Sequence, residues 1–435
     1  MSQEDVRLQN VAVFATVIGS STSSWAATRS RKGIDKPYSH TRAVGAYWVR
    51  PNNDNNVYVL GAGFSAEAGL PLIASFLGRM RDAVDWLEQN DRGEERLAIE
   101  RVLQFRHESA AAGYRINIDL DNIEHLFSLA AAKPGPATTE DIRLAIAATL
   151  DFAAHTGNPL IARLRISEAQ GWPSTEAWRH AAKRWTQSGD GFDDVECSVY
   201  DYYAALLSGL AAGKRESGTN TVITLNYDLL LETSLARLAI PFAYGLRGPG
   251  VEYDSAAEAQ DTQADALRIL KLHGSLNWAQ KEDGTVVVYR DYESVRSSKL
   301  RPLLVPPTWH KSFGDALLRV WDAAVQALAA ATRITMIGFS IPPNDQHFKY
   351  LLSVGLQDNS SLRAIKIVDP RAKDLRSQYE AVFRADQFNY GIVTLGDKRT
   401  AQFLFDEEAI AALARPLAHP GLQLVDFQGR YMMRR

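Results

Sequence analysis

The stretch Val57-Tyr58-Val59-Leu60-Gly61-Ala62-Gly63-Phe64-Ser65 decides the fold. Four consecutive apolar residues, three of them β-branched or aromatic, read as a strand buried on both faces, the habit of parallel sheets. The run stops at glycine, small residues turn the chain, and a helical pattern follows. That order opens a βαβ unit, and such a turn lets a phosphate approach backbone N–H groups and the positive end of a helix. The competing reading of the two glycines is steric: a tight turn against which other backbone packs.

Working outward, Asn52 to Asn56 is polar and turn-like, and the text from about Arg79 to Arg215 is mostly helical. Ile123–Leu129 and Asp141–Ala154 carry apolar residues at spacings of three and four, and Lys133–Pro136 and Ser188–Gly191 mark loops between helices. Strand signals return at Thr221–Leu225, before a helix expected over Asp228–Leu238. Further strands are expected at Arg268–Leu272, Thr285–Tyr289, Leu303–Val305, Ile334–Ile337 and Ile365–Val368, with helices at Phe313–Ala331 and Asp345–Leu352. The alternation predicts an α/β chain: a doubly wound parallel sheet covered on both faces, interrupted by a large helical insertion over about 79–215.

Composition narrows the function. The chain has 435 residues, 48 basic and 51 acidic, for a formal charge of −3. A balance this near neutral argues against a protein that coats nucleic acid or anionic membrane. The one cysteine, Cys197, excludes an intrachain disulfide and any Cys-based zinc cage within the chain. No apolar run reaches the ~18 residues of a membrane span. Val11–Gly19 is a short apolar run, but Glu4 and Asp5 offset Arg7, so the basic start of a secretory signal is missing. The expectation is a reduced, cytoplasmic protein. Ser20–Arg50 is rich in Ser, Thr and Arg, so residues 1–52 are expected to form a poorly ordered extension and 53–435 the nucleotide-binding domain.

Four further constellations sit at strand ends, where open α/β sheets bind their ligands. Asn226 and Asp228 follow the strand Thr221–Leu225, and either could instead be a helix N-cap. His273, followed by Gly274, closes another strand; imidazole suits acid–base work, although a lone histidine is more often structural. Gly338 and Ser340 repeat a glycine–x–serine turn after Ile334–Ile337. Asp369 closes Ile365–Val368, where a carboxylate can receive ribose hydroxyls or merely belong to the turn before Pro370.

In order, Gly61-Ala62-Gly63-Phe64-Ser65 with Gly69-Leu70-Pro71, then Asn226/Asp228, His273-Gly274, Gly338/Ser340 and Asp369 resemble the sirtuin (Sir2) NAD-binding fold over about residues 55–390. Finer details resemble its bacterial SIR2-like branch: Asn122-Ile123-Glu124, Val305–Trp309 with Lys311, and Gly338–Ser340 with Pro342 and Asp345. The resemblance implies that Gly61, Ala62, Gly63 and Ser65 surround the NAD phosphates and nearby ribose. It implies that Asn226 positions a water, that Asp228 helps hold that site, and that His273 acts on ribose hydroxyls. Gly338 and Ser340 would line the phosphate side and Asp369 the adenosine ribose.

Two departures bear on the reaction. Deacylating sirtuins carry Asp-Phe-Arg where Leu72-Ile73-Ala74-Ser75 follows Pro71 here, and they carry a four-cysteine zinc module that one cysteine cannot build. The helical insertion is expected in its place. The resemblance therefore implies a metal-free NAD hydrolase that yields nicotinamide and ADP-ribose, acting in anti-phage defence by NAD depletion. Its rivals are an NAD-dependent protein deacylase and a non-catalytic module sensing NAD or ADP-ribose. By the same analogy it implies a homo-oligomer, with a HerA-like ATPase or a short Argonaute as possible partner.

Overall fold

Strand β1 (Asn55–Leu60) is the centre from which the sheet is built in both directions. The computed structural model describes residues 55–113, 115–132, 137–157, 161–165, 194–208, 219–237, 240–258, 266–308, 314–341, 345–383 and 392–394. After β1 come the short α1 (Ala62–Ser65) and then α2 (Phe76–Gln89), α3 (Gly93–Glu108), α4 (Ile123–Ala132) and α5 (Thr139–Thr156). A two-stranded antiparallel ribbon, β2 (Ile161–Arg165) with β3 (Asp194–Ser198), precedes α6 (Val199–Leu207). The chain continues through β4 (Thr219–Thr224), α7 (Leu230–Arg237), β5 (Phe242–Ala243), β6 (Val251–Tyr253), β7 (Leu267–Lys271), β8 (Gly274–Gln280), β9 (Val286–Val288) and β10 (Arg301–Leu304). The last described elements are α8 (Asp315–Ala329), β11 (Arg333–Ile337), α9 (Gln346–Leu356), β12 (Ala364–Val368), α10 (Ala372–Phe383) and β13 (Ile392–Thr394).

The main sheet has seven strands in the order β13-β12-β11-β1-β4-β7-β5, and every pairing is parallel. Val57–Leu60, β11 and β12 are buried along their whole length, as strands covered on both faces must be. The chain builds from β1 toward β4 and β7 first, then returns to lay down β11, β12 and β13 on the other side. The crevice outside the carboxyl ends of β1, β4 and β11 lies at that reversal.

Three glycines close this point. The N–H of Gly61 donates to Ile337 O (3.1 Å), that of Gly63 to Gly338 O (2.9 Å), and that of Gly338 to Val368 O (2.9 Å). A Cβ on Gly61 would lie 2.5 Å from Gly338 O, and one on Gly63 2.8 Å from Gly338 Cα. Gly338 has φ +59°, and a Cβ there would run into the Phe64 nitrogen and the Gly63 carbonyl carbon. The loops after β1 and β11 thus pack backbone on backbone, which is the steric reading of the glycines.

Two expected strands belong elsewhere. Thr285–Tyr289 and Leu303–Val305 correspond to β9 and β10, which lie in a separate four-stranded sheet, β10-β8-β9-β6. There β8 runs antiparallel to both β9 and β10, while β6 pairs in parallel with β9. Chain length explains the correction: a parallel return needs a crossover of about a dozen residues or more. Only Leu272 and His273 separate β7 from β8. The ribbon β2–β3 likewise interrupts what reads as continuous helix. The expected loops at Lys133–Pro136 and Ser188–Gly191, and the extension 1–52, lie outside the described residues.

A buried ionic network joins the helical insertion to the small sheet. Arg92 donates to Glu95 Oε1 (2.7 Å from Nη2) and to Asp151 of α5, and lies 5.0 Å over the Trp86 ring. Glu95 also receives Arg296 Nε (2.8 Å), from the short helix Tyr292–Ser297 that precedes β10. Arg143 of α5 donates to Leu304 O at 3.0 Å, tying α5 to the end of β10. Among the described residues no helix is long and apolar enough to cross a membrane.

The glycine contacts make a stability test. Gly338→Ala combines a left-handed alanine, roughly 1–2 kcal/mol, with overpacking of roughly 1–3 kcal/mol. Denaturant unfolding should show a loss of about 2–5 kcal/mol; a loss below about 0.5 kcal/mol would remove the steric role.

Candidate functional site

The end of β4 is joined to the end of β1 by side chains. Thr224 Oγ1 donates to Leu60 O (3.1 Å) and accepts from the Asn226 N–H (3.0 Å). The Asn226 amide Nδ2 donates to Gly61 O (2.9 Å) and to Ser65 Oγ (3.2 Å). Ser65 Oγ in turn donates to Asp228 Oδ2 at 2.8 Å. Asp228 Oδ1 accepts the Leu230 N–H (3.1 Å) at the start of α7. Asp228 is not the N-cap, which is Leu229, but it holds the first N–H of α7 from one residue earlier and also reaches the cluster. Asn226 instead aims its amide at the β1 turn. Ser65, Asn226 and Asp228 form one hydrogen-bonded unit.

Residues that sequence reasoning left unassigned hold this unit in place. Lys271, the last residue of β7 and 1% exposed, donates to Asp228 O and to Glu232 Oε1 (2.7 Å), and lies 3.5 Å from Tyr227 O. Burial raises the Glu232 carboxyl above its ordinary pKa, and the Lys271 charge opposes that rise. A lysine inside the apolar run Arg268–Leu272 was the available signal, since a charge in a buried strand needs a partner. Tyr200 of α6 donates to Phe64 O (3.0 Å) and accepts from the Ala68 N–H (3.1 Å), gripping the segment after β1. Burial and the nearby Asp228 charge raise its pKa, so it stays a neutral donor. Nothing in the local sequence marks Tyr200.

His273 is buried at the end of β7, where Trp321 Nε1 of α8 holds the preceding Leu272 O (2.9 Å). The His273 carbonyl accepts the Val305 N–H (2.8 Å), and the Tyr227 hydroxyl donates to Val305 O (2.6 Å). The Tyr227 and His273 rings stand 6.3 Å apart at 33°. Desolvation raises the Tyr227 pKa, with Asp345 and Glu124 adding to the rise.

On the other flank, Gly338 and Ser340 follow β11, and Tyr379 of α10 donates to the Phe339 carbonyl. Ile341 closes the turn at φ +47°, a conformation that costs a β-branched residue roughly 1–3 kcal/mol. Asp369 is 7% exposed after β12, and its Oδ1 accepts the Arg371 N–H at 2.8 Å. Trp309, Lys311 and Pro342 lie outside the described residues. Among the described residues no group of three or more His, Cys, Asp or Glu is placed to hold a metal ion.

The chemical capacity of the site follows from what is committed. The N–H groups of Gly61 and Gly63 already donate to backbone oxygens, and the space beside each Cα is filled by the Gly338–Phe339 backbone, so these glycines bring the two loops together and do not themselves donate to a ligand. The strands carrying Asp369, Gly338, Gly61, Asn226 and His273 are five neighbours in the sheet. At about 4.8 Å per strand they span about 19 Å, a row long enough for an extended ligand.

Ser65→Ala tests the unit. It leaves the buried Asp228 Oδ2 without its donor, an expected cost of ~1–3 kcal/mol in denaturant unfolding. A variant as stable as the wild type would mean that the hydroxyl is dispensable.

Among solved structures, the chain is similar to one described as revealing the mechanism and regulation of Sir2 enzymes, at 13% identity and a TM-score of 0.32, covering 84% of this chain and 94% of that one. It is also similar to Sir2 in complex with an inhibitor, 2'-O-acetyl-ADP-ribose and a deacetylated peptide, at 12% identity and a TM-score of 0.31, covering 80% and 90% respectively. No curated protein matches the sequence. Residues 220–389 match the SIR2-like domain family, a span that holds Asn226, Asp228, His273, Gly338, Ser340 and Asp369. Over that span the chain is similar to the SIR2-like domain family.

Proposed function

We propose that the protein hydrolyses NAD, cleaving the bond between nicotinamide and ribose to release nicotinamide and ADP-ribose. The observation that carries this reading is the Ser65–Asn226–Asp228 unit, at the carboxyl ends of β1 and β4 and beside the glycine-packed loops of the sheet reversal. Ligands of open α/β sheets bind at that point. The match of residues 220–389 to the SIR2-like domain family supports NAD as the substrate.

In this reading the dinucleotide lies along the strand ends, its adenosine ribose toward Asp369 and its nicotinamide ribose toward Asn226 and His273. Asn226 Nδ2 is held by Gly61 O and Ser65, so its Oδ1 faces the task of orienting water. As the C1'–N bond lengthens, positive charge spreads over the ribose. The water oxygen adds to C1', neutral nicotinamide departs with the bonding pair, and the water gives up a proton. Pyridinium is a good leaving group, so no strong acid is needed. Asp228 keeps Ser65 and Asn226 in register, and His273 acts on the ribose hydroxyls as base or orienter. Water as acceptor agrees with Leu72–Ser75 standing where deacylases carry Asp-Phe-Arg.

The deciding measurement is nicotinamide release from NAD alone. A hydrolase releases nicotinamide and ADP-ribose without an acylated peptide; a deacylase needs the peptide, and a sensing module releases neither product. Asn226→Ala and His273→Ala should lower kcat and kcat/KM together, by roughly 10²–10³-fold for a lost oriented interaction of ~3–4 kcal/mol. Their NAD Kd should stay within a few-fold. Folded variants with near-wild-type turnover would defeat the assignment.

Asp369 gives a binding test. Its Oδ1 is engaged by the Arg371 N–H, leaving the second oxygen for ribose hydroxyls. Asp369→Ala should lose ~1.5–3 kcal/mol of charged hydrogen bonding, about tenfold or more in NAD Kd. Calorimetry showing an unchanged Kd would return Asp369 to a turn residue.

A further inference from the structure

We propose that Lys271 is a positioning residue that sets the Asn226–Asp228 turn for chemistry, through the carbonyl groups of that turn. Its ammonium donates to Asp228 O and lies 3.5 Å from Tyr227 O. Tyr227 O also accepts the Leu276 N–H from β8 (3.0 Å), and the Asn226 N–H is held by Thr224. The Leu225–Asn226, Tyr227–Asp228 and Asp228–Leu229 peptide groups are therefore each tied to a neighbouring strand or side chain. With those planes fixed, the Asp228 carboxylate meets Ser65 and the Asn226 amide meets Gly61 O.

Burying an ammonium in a parallel strand is costly unless it is paired. Glu232 at 2.7 Å supplies the counter-charge. An ammonium has three N–H donors; Glu232 accepts one, and the acceptors nearest the others are the carbonyl oxygens of the turn that carries Asn226 and Asp228. Glu232 makes the buried lysine tolerable, and the lysine holds the turn.

This inference rests on the hydrolase reading for its kinetic readout, and the experiment separates the two. Full-length wild type is compared with Glu232→Gln, Lys271→Arg and the double variant Lys271→Met with Glu232→Leu. Glu232→Gln keeps an acceptor for the ammonium at similar volume; it should be less stable, since the charge loses its counter-ion, and kcat per folded molecule should stay within about threefold. Lys271→Arg keeps the charge beside Glu232 but replaces a compact point donor by a planar fork. The double variant removes both charges at similar volume, an exchange that buried pairs often survive. Both lysine variants should lose kcat by on the order of 10- to 100-fold, as expected for a catalytic group displaced by about 1 Å, with KM little changed. Lysine variants as active as Glu232→Gln would show Lys271 to be only the partner of Glu232.

If the wild type binds NAD but releases no nicotinamide, the hydrolase reading fails, and amide hydrogen exchange across residues 225–230 decides the role of Lys271. Faster exchange there in the lysine variants than in Glu232→Gln sustains it; equal exchange overturns it.

Discussion

The contact between Gly61, Gly63 and Gly338 is the constraint on which the rest of the site depends. Adjacent parallel strands are about 4.8 Å apart, and here the loops that leave two of them do not diverge at once. They cross with the carbonyl of one accepting the N–H of the other. That proximity brings Gly61 O within reach of Asn226 and places Ser65 opposite Asp228. A side chain at any of the three positions would push the β1 turn away from β11 and open the polar unit that rests on it.

Buried charge is the second theme. Arg92, Glu95, Lys271 and Glu232 are all nearly inaccessible, yet each has an ionic partner within hydrogen-bond distance. Removing one member of such a pair is far more damaging than never having had it. The two networks sit at different joints: Arg92 and Glu95 between helices and the small sheet, Lys271 and Glu232 beneath the β4 turn. In both, specific geometry is obtained where an apolar contact would leave the elements free to slide.

The main sheet was readable from sequence because its strands are buried on both faces and so appear as unbroken apolar runs, as in Val57–Leu60 and Ile334–Ile337. The turn residues were readable for a related reason, since each strand ends abruptly at Gly61, Asn226, His273, Gly338 or Asp369. The second sheet was not, because a short apolar run such as Thr285–Tyr289 has no mark of the sheet it joins. Only the shortness of the connections on either side of β8, two and five residues, tells it and β9 from strands of the parallel sheet. Tyr200 shows a harder limit: it acts on Phe64 and Ala68 from far along the chain, and no local pattern encodes that distance.

The central position of β1 has a consequence for how the chain is made. Its partners begin 164 residues later on one side and 277 residues later on the other. At synthesis rates of ~5–20 residues per second, β1 waits roughly 15–55 s for its second neighbour. For roughly the first 8–33 s, until β4 is made 164 residues later, its apolar run has no strand to pair with, while the intervening helices, whose contacts are largely local, can form first. The insertion is then the first shelter available to the nascent strand, and the bonds that bring Gly338 onto the β1 turn can close only after the insertion, β4 and β7 have all been made.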